Sequence, residues 1–363
     1  MKKKCRFVGI MFLCIIIVCT VLVMIYERAT NNNTKENENF TVVTSFYPMY
    51  IAALNIVDGA DGVTLENLSE PQTGCLHDFQ LTPEDMKLLS TADLFVINGG
   101  GIESFMSDVA KAYPDLTVVE ACKNVELINE SEEDVDTHDH DHEADSDETD
   151  HDHDHEADSD ETDHDHDHEA DSDETDHDHD HEADSDESGH DHDHGDENAH
   201  AWMSVARYRV MVSTIAESLS KADPSNAAIY DSNAKKYDAK LAELEEKEKE
   251  IKQKTAGNDI IIFHEAYEYV ADDFGMNVCY LMDLDEERAV SAGEVSDVIN
   301  AVRNDGVSVI LAEELYGKDL GDTVSRETDV KMVYIDPLNR GNYDKNSYIE
   351  GMEKNFELIE AAF

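Results

Sequence analysis

The chain has 363 residues, with 85 Asp and Glu against 27 Lys and Arg and a formal net charge of −58. A field of that sign repels phosphate backbones, so nucleic acid is excluded as a ligand. Hydrophobic residues make up 40% of the chain, enough apolar material for one large or two ordinary domains.

Met1 to Arg6 reads MKKKCR, and Phe7 to Tyr26 is a 20-residue run without a charge. Basic residues ahead of an apolar run hold the start of the chain in the cytosol and send the rest out, which reads as an export signal. A run of that length also suffices to cross a bilayer. Residues 1–30 are therefore expected to anchor an extracytoplasmic protein to the outer face of the cytoplasmic membrane. Of six cysteines, Cys5, Cys14 and Cys19 lie in this segment, leaving Cys75, Cys122 and Cys279 widely spaced. Without a CxxC pair they are expected to be buried free thiols, not a disulfide framework or a zinc knuckle.

From Phe40 short apolar runs alternate with helical periodicity. FTVVTS, a helix over Pro48 to Val57, VTLEN, a helix from Thr82, LFVIN, a helix over Ile102 to Ala112 and LTVVE follow one another. Thr82-Pro83-Glu84-Asp85 places a capping hydroxyl first, Pro in the first turn and carboxylates at the positive end of the helix dipole. Gly99-Gly100-Gly101 lacks the full GxGxxG pattern and is expected to make a tight turn between strand and helix.

Residues 138–194 are a 13-residue repeat: HDHDHEADSDETD begins at 138, 151 and 164, a variant begins at 177 and a truncated copy at 190. Residues 138–197 hold 31 acids and no Lys or Arg. With no large apolar side chain in the repeat to offset chain entropy, 130–197 is expected to be a disordered insertion. It could hold several metal ions weakly, since histidines alternate with carboxylates, or serve as a solvated acidic spacer.

A helix from Val205 to Ser220 is followed, after Asp223-Pro224, by a longer one reaching about Lys254 along a narrow stripe of Tyr230, Ala234, Tyr237, Leu241, Leu244 and Ile251. The alternation then resumes: IIIFH, a helix over Glu265 to Phe274 stopped by Gly275, NVCYL, a helix to Asn304, VSVILA, a helix near Leu320 to Glu327, MVYID, and a last helix to Phe363. Ser291 and Glu294 fit a capping box. The fold class expected is α/β, with two lobes, each a mostly parallel sheet flanked by helices, joined by one long helix. The divisions are 40–222 for the first lobe, 223–256 for the linking helix and 257–363 for the second lobe.

Of 18 histidines, 15 fall in the repeat, leaving His77, His200 and His264 in the body. His264 and Asp336 each end a strand-like run, where α/β sheets present ligands at their carboxyl edges. His77 and His200 each precede a helix. Three imidazoles and one carboxylate make a four-coordinate set that suits Zn²⁺ better than ions that prefer oxygen. Each of these histidines taken singly reads more readily as a hydrogen-bonded structural residue, and the set together with Asp336 reverses that preference.

The chain from Phe40 to Phe363, the repeat apart, resembles the cluster A-I metal-binding lipoproteins, the solute-binding components of zinc and manganese ABC importers. GCLHDFQLTPEDMKLLSTADLFVINGGGIESFM (74–106), NAHAWMS (198–204), FHEAYEYVADDFGM (263–276) and YIDPL (334–338) look like the segments around that family's four ligands. The resemblance implies His77, His200, His264 and Asp336 as metal ligands, with Glu313 as a reserve oxygen donor. His264, at the position where manganese binders of the family carry Glu, implies zinc, as does the His- and acid-rich loop ahead of His200.

The function expected is capture of Zn²⁺ outside the membrane and delivery to an ABC permease with its ATPase, with the metal as cargo and no enzymatic activity. No HExxH or nucleophile triad is present, and four protein ligands leave no position for a reactive water. Alternatives are a manganese- or iron-binding counterpart, a surface metal buffer or adhesin without a permease, and a zinc hydrolase.

Overall fold

The computed structural model describes residues 39–70, 77, 79–129, 197–284 and 288–363. The export segment, the repeat and Cys75 lie outside the described residues, and so do the expectations placed on them. The first elements are β1 (Phe40–Thr44), α1 (Tyr47–Ile56), β2 (Val63–Asn67), α2 (Pro83–Leu89), β3 (Leu94–Ile97), α3 (Met106–Ala112) and β4 (Thr117–Glu120). The four strands form one parallel sheet in the order β2-β1-β3-β4. β3 is buried along its whole length, as a central strand covered on both faces must be. Strand order reverses between β1 and β3, so their carboxyl ends form the crevice of this lobe.

Next come a short antiparallel pair, β5 (Ile128–Asn129) with β6 (Glu197–Asn198), and the helices α4 (Val205–Ala222) and α5 (Ala227–Thr255). The pair brings together the two points where the chain enters and leaves 130–196. At 29 residues, α5 is roughly 43 Å long. It packs on α1 and α4, and also on two helices of the second lobe, through Tyr230, Tyr237, Leu241, Leu244 and Ile251.

The second lobe runs β7 (Asp259–Ile262), α6 (Tyr267–Phe274), β8 (Asn277–Leu281), α7 (Ala292–Asp305), β9 (Val309–Ala312), α8 (Glu314–Glu327), β10 (Lys331–Tyr334) and α9 (Ser347–Glu360). Its parallel sheet has the order β10-β9-β7-β8, with the reversal between β7 and β9. One apolar cluster spans both lobes and α5, while a second fills the outer face of the second sheet beneath α7 and α8. The fold class is thus the two-lobed α/β arrangement read from the sequence. α5 meets α6 and α9 of the second lobe. Along α9, Lys240, Lys247 and Lys254 face Asn346, Glu353 and Glu360.

Local signals hold in several places. Thr82 and Ser291 both close capping boxes, and Gly275 and Gly306 end helices in the left-handed conformation. Other expectations are corrected. The helix placed over Ile102 to Ala112 begins only at Met106. Gly99, Gly100 and Gly101 all adopt positive φ, and the Glu103 carboxylate turns back to accept the Asn98 and Gly99 N–H groups, which holds the preceding residues in a turn. The helix placed near Leu320 begins at Glu314. Gly317 and Gly321 obscure it because their role is close approach: a Cβ at Gly317 would come 2.9 Å from the Ala312 Cβ, and one at Gly321 2.6 Å from the Tyr334 hydroxyl. The last helix stops at Glu360, short of Phe363. Cys122 is a buried free thiol, but Cys279 is exposed on β8, which lies at the edge of the second sheet.

Candidate metal centre

The three body histidines come from separate chain segments. His264 lies two residues beyond β7, at the switch point of the second sheet, and is fully buried. The strand direction continues through Phe263, whose N–H donates to the Leu311 carbonyl at 2.9 Å, and the His264 carbonyl accepts from Tyr267 N–H at 3.0 Å as α6 begins.

His200 sits in the segment after β6, also fully buried. Asn98, at the carboxyl end of β3, donates from Nδ2 to the Ala199 carbonyl at 2.9 Å. On the other side Trp202 Nε1 donates to the Pro337 carbonyl at 2.8 Å, and the Tyr348 hydroxyl donates to the Trp202 carbonyl at 2.7 Å. The His200 turn is therefore pinned to both lobes. His77 is the partly exposed member, its side chain 27% accessible, and its carbonyl accepts from Ser104 Oγ at 3.1 Å.

The rings converge. His77 Nε2 and His200 Nε2 lie 3.4 Å apart, and the His200 ring centroid is 5.2 Å from that of His77 and 5.1 Å from that of His264. A carboxylate not anticipated from the sequence joins them: Glu265 Oε1 is 3.2 Å from His200 Nδ1 and 3.5 Å from His77 Nε2. His77, His200 and Glu265 present donor atoms all within 4.8 Å of one another. The signal for Glu265 was its place directly after His264, in the same strand-edge loop.

The other two carboxylates stand apart from this group. Glu313, at the end of β9, is buried, with Oε2 4.0 Å from His264 Nδ1, and it is committed to an ion pair with Arg340. Asp336 lies two residues past β10, where Oδ1 accepts the Leu338 N–H at 2.8 Å. It lines a cavity of about 580 Å³ together with Glu313, Tyr316, Tyr334 and Arg340.

Electrostatics favour neutral imidazole. Burial pushes His200 well below the ordinary histidine range, reinforced by the neighbouring His264 and His77. Burial also lowers His264, to about 3, with further contributions from His77 and the Arg340 guanidinium. Neutral rings keep the lone pair that a metal needs, without any proton to displace at neutral pH.

Two parallel-sheet lobes joined by a long helix, with their switch points meeting at a cluster of imidazoles and carboxylates, define a two-lobed solute-binding architecture. The chain belongs to the family described as "Zinc-uptake complex component A periplasmic", which it matches over residues 42–362. It is similar to "Zinc-binding protein AdcA" of Streptococcus pyogenes, 28% identical over 330 residues, with 88% of this chain and 55% of that protein covered. The chain thus spans about half the length of that relative. It is 25% identical to "High-affinity zinc uptake system protein ZnuA" of Bacillus subtilis over 95% of both chains. It is 22% identical to "Manganese-binding lipoprotein MntA" of Halalkalibacterium halodurans over 99% of this chain and 98% of that one. Among solved structures, the solute-binding protein FpvC of Pseudomonas aeruginosa with Ni²⁺ shares the fold, with a TM-score of 0.65 at 21% identity, covering 89% of this chain and 96% of that chain. Among the described residues no helix is long and apolar enough to cross a membrane.

Proposed function

We propose that this protein captures Zn²⁺ outside the cytoplasm and delivers it to an ABC permease energised by a separate ATPase. The observation that carries the reading is the convergence of His77, His200 and Glu265, whose donor atoms lie within 4.8 Å of one another, beside the buried His264 ring. Nitrogen-rich four-coordinate sets suit Zn²⁺, whereas Mn²⁺ is better served by additional oxygen donors. The zinc names of the S. pyogenes and B. subtilis relatives support the same cargo.

His77, His200 and His264 supply the nitrogens. Glu265 is the oxygen donor the geometry supports, since its Oε1 stands 3.5 Å from His77 Nε2. Asp336, the donor implied by family resemblance, is the second reading. A shell closed by protein atoms leaves no position for an activated water, so the centre carries a metal and does not hydrolyse. The uncharged run from Phe7 to Tyr26 would hold the protein at the outer membrane face, near its permease.

The test is zinc competition against a strong chelator on the full chain, with His200→Ala, Glu265→Gln and Asp336→Asn compared. One tight site lost in His200→Ala is expected, together with a weakening in Glu265→Gln on the order of 10- to 100-fold. A tight site that survives His200→Ala places the binding elsewhere. Loss in Asp336→Asn but not in Glu265→Gln assigns the oxygen to Asp336.

A further inference from the structure

We infer that Asn198 is a positioning residue for this centre: its amide fixes His200 in the tautomer protonated on Nδ1, and so directs Nε2 at the incoming metal. The inference rests on His200 being a ligand, as proposed above.

Asn198 is fully buried at the end of β6. Its orientation follows from two backbone groups whose roles are beyond dispute. Nδ2 lies 2.9 Å from the Glu265 carbonyl, which only accepts, and Oδ1 lies 3.0 Å from the His200 backbone N–H, which only donates. Nδ2 also donates to Glu268 Oε2 at 2.9 Å. With the amide fixed this way, Oδ1 stands 3.0 Å from His200 Nδ1. An amide oxygen cannot donate, so the hydrogen in that contact belongs to the ring. In the neutral ring the lone pair is then on Nε2, the atom 3.4 Å from His77 Nε2.

The amide is itself held from two directions. Asn198 pairs with Ile128 across the foot of the acidic insertion, and its carbonyl accepts from the Tyr269 hydroxyl of α6 at 2.5 Å. The aim of the His200 ring is thereby set by the stem of the insertion and by the start of α6. Metal-bound histidines generally owe their tautomer to such an outer partner, whose loss weakens binding by about 10- to 100-fold.

The experiment is nitrogen-15 NMR of the metal-free full chain labelled at histidine, with the His200 ring N–H identified by its loss in His200→Gln. The expected signal is a slowly exchanging Nδ1–H. Asn198→Leu is expected to shift or abolish it and to weaken zinc in chelator competition by about 10- to 100-fold. Asn198→Leu is expected to keep the dispersed amide spectrum of the folded chain, so that the change at His200 is separated from a loss due merely to unfolding. A wild-type ring protonated on Nε2, or an unchanged signal in Asn198→Leu, overturns the inference. Absence of tight zinc binding in the wild type overturns the zinc reading instead, while the ring signal still decides what Asn198 does to His200.

Discussion

Replacing His264 by Gln should make the metal-free protein less sensitive to acid, and the size of the effect follows from the burial of the ring. The folded-state pKa lies near 3, lowered first by burial, against about 6.5 for a solvated imidazole. Because the folded value is the depressed one, the unfolded chain takes up its proton first. Stability from this group is intact above about pH 6.5 and falls as pH drops below it. At pH 5 the deficit is about 1.5 units at 1.36 kcal/mol each, about 2 kcal/mol, and it approaches about 5 kcal/mol near pH 3. His200 shifts in the same direction and adds to the loss.

The assay is urea unfolding in excess chelator at pH 7.5 and pH 5 for wild type and His264→Gln. Comparing the two chains cancels the titration of their shared carboxylates. The wild type should lose about 2 kcal/mol more than the variant over that interval. Equal losses would mean that His264 is hydrated or charged in the folded protein, and the neutral-donor argument for the centre would fail with it.

Glu103→Gln should cost about 1–3 kcal/mol, read as a lower urea midpoint, because the buried carboxylate accepts from Asn98 N–H, Gly99 N–H and Ser45 Oγ and a carboxamide would turn an NH₂ toward one of these donors. The same variant should weaken zinc, since Asn98 holds the carbonyl of Ala199 next to His200. Gly341→Ala should cost about 1–3 kcal/mol by thermal or urea unfolding, since its φ is +150° and a Cβ there would meet the Tyr47 hydroxyl at 2.7 Å, on the segment that bridges the lobes. Zinc at 100 times its dissociation constant should stabilise the wild type by about 2.7 kcal/mol, and His200→Ala should abolish that gain.

The sheets were legible because central strands such as β3 (LFVI) and β9 (VILA) are uninterrupted apolar runs and helices α2, α6 and α7 carry cap or stop signals. The capping boxes at Thr82 and Ser291 and the left-handed glycines at 275 and 306 act within a few residues, so sequence alone contains them. Misplaced boundaries arose where a distant contact overrides local preference. Glu103 folds onto the turn of three glycines and delays α3, and the close approach of α8 to β9 and β10 requires glycine within a helix. At the centre, the three histidines stood out because the folded body has no others. Glu265 did not, since an acid following a strand-end histidine gains its meaning only when His77 and His200 arrive from other segments. Asn198 was hidden for the same reason: its significance lies in four hydrogen bonds, two of them to backbone groups that carry no sequence signal.

The same topological rule operates twice in this chain. In each sheet the strand order reverses once, between β1 and β3 and between β7 and β9, and each reversal opens a crevice at the carboxyl edge. His264 and Glu313 stand at the second crevice by strand extension alone. Asn98 at the end of β3 contributes to the first by holding Ala199, and with it His200, over the gap. The three histidines are therefore placed one on the strand scaffold, one suspended between the lobes, and one, His77, ahead of α2 in the chain. His77 is the partly exposed member of the three, whereas moving His200 would break bonds to both lobes at once. Under the function proposed above, that asymmetry would let His77 yield first on loading and release, because a centre held equally firmly at every ligand would bind without letting go.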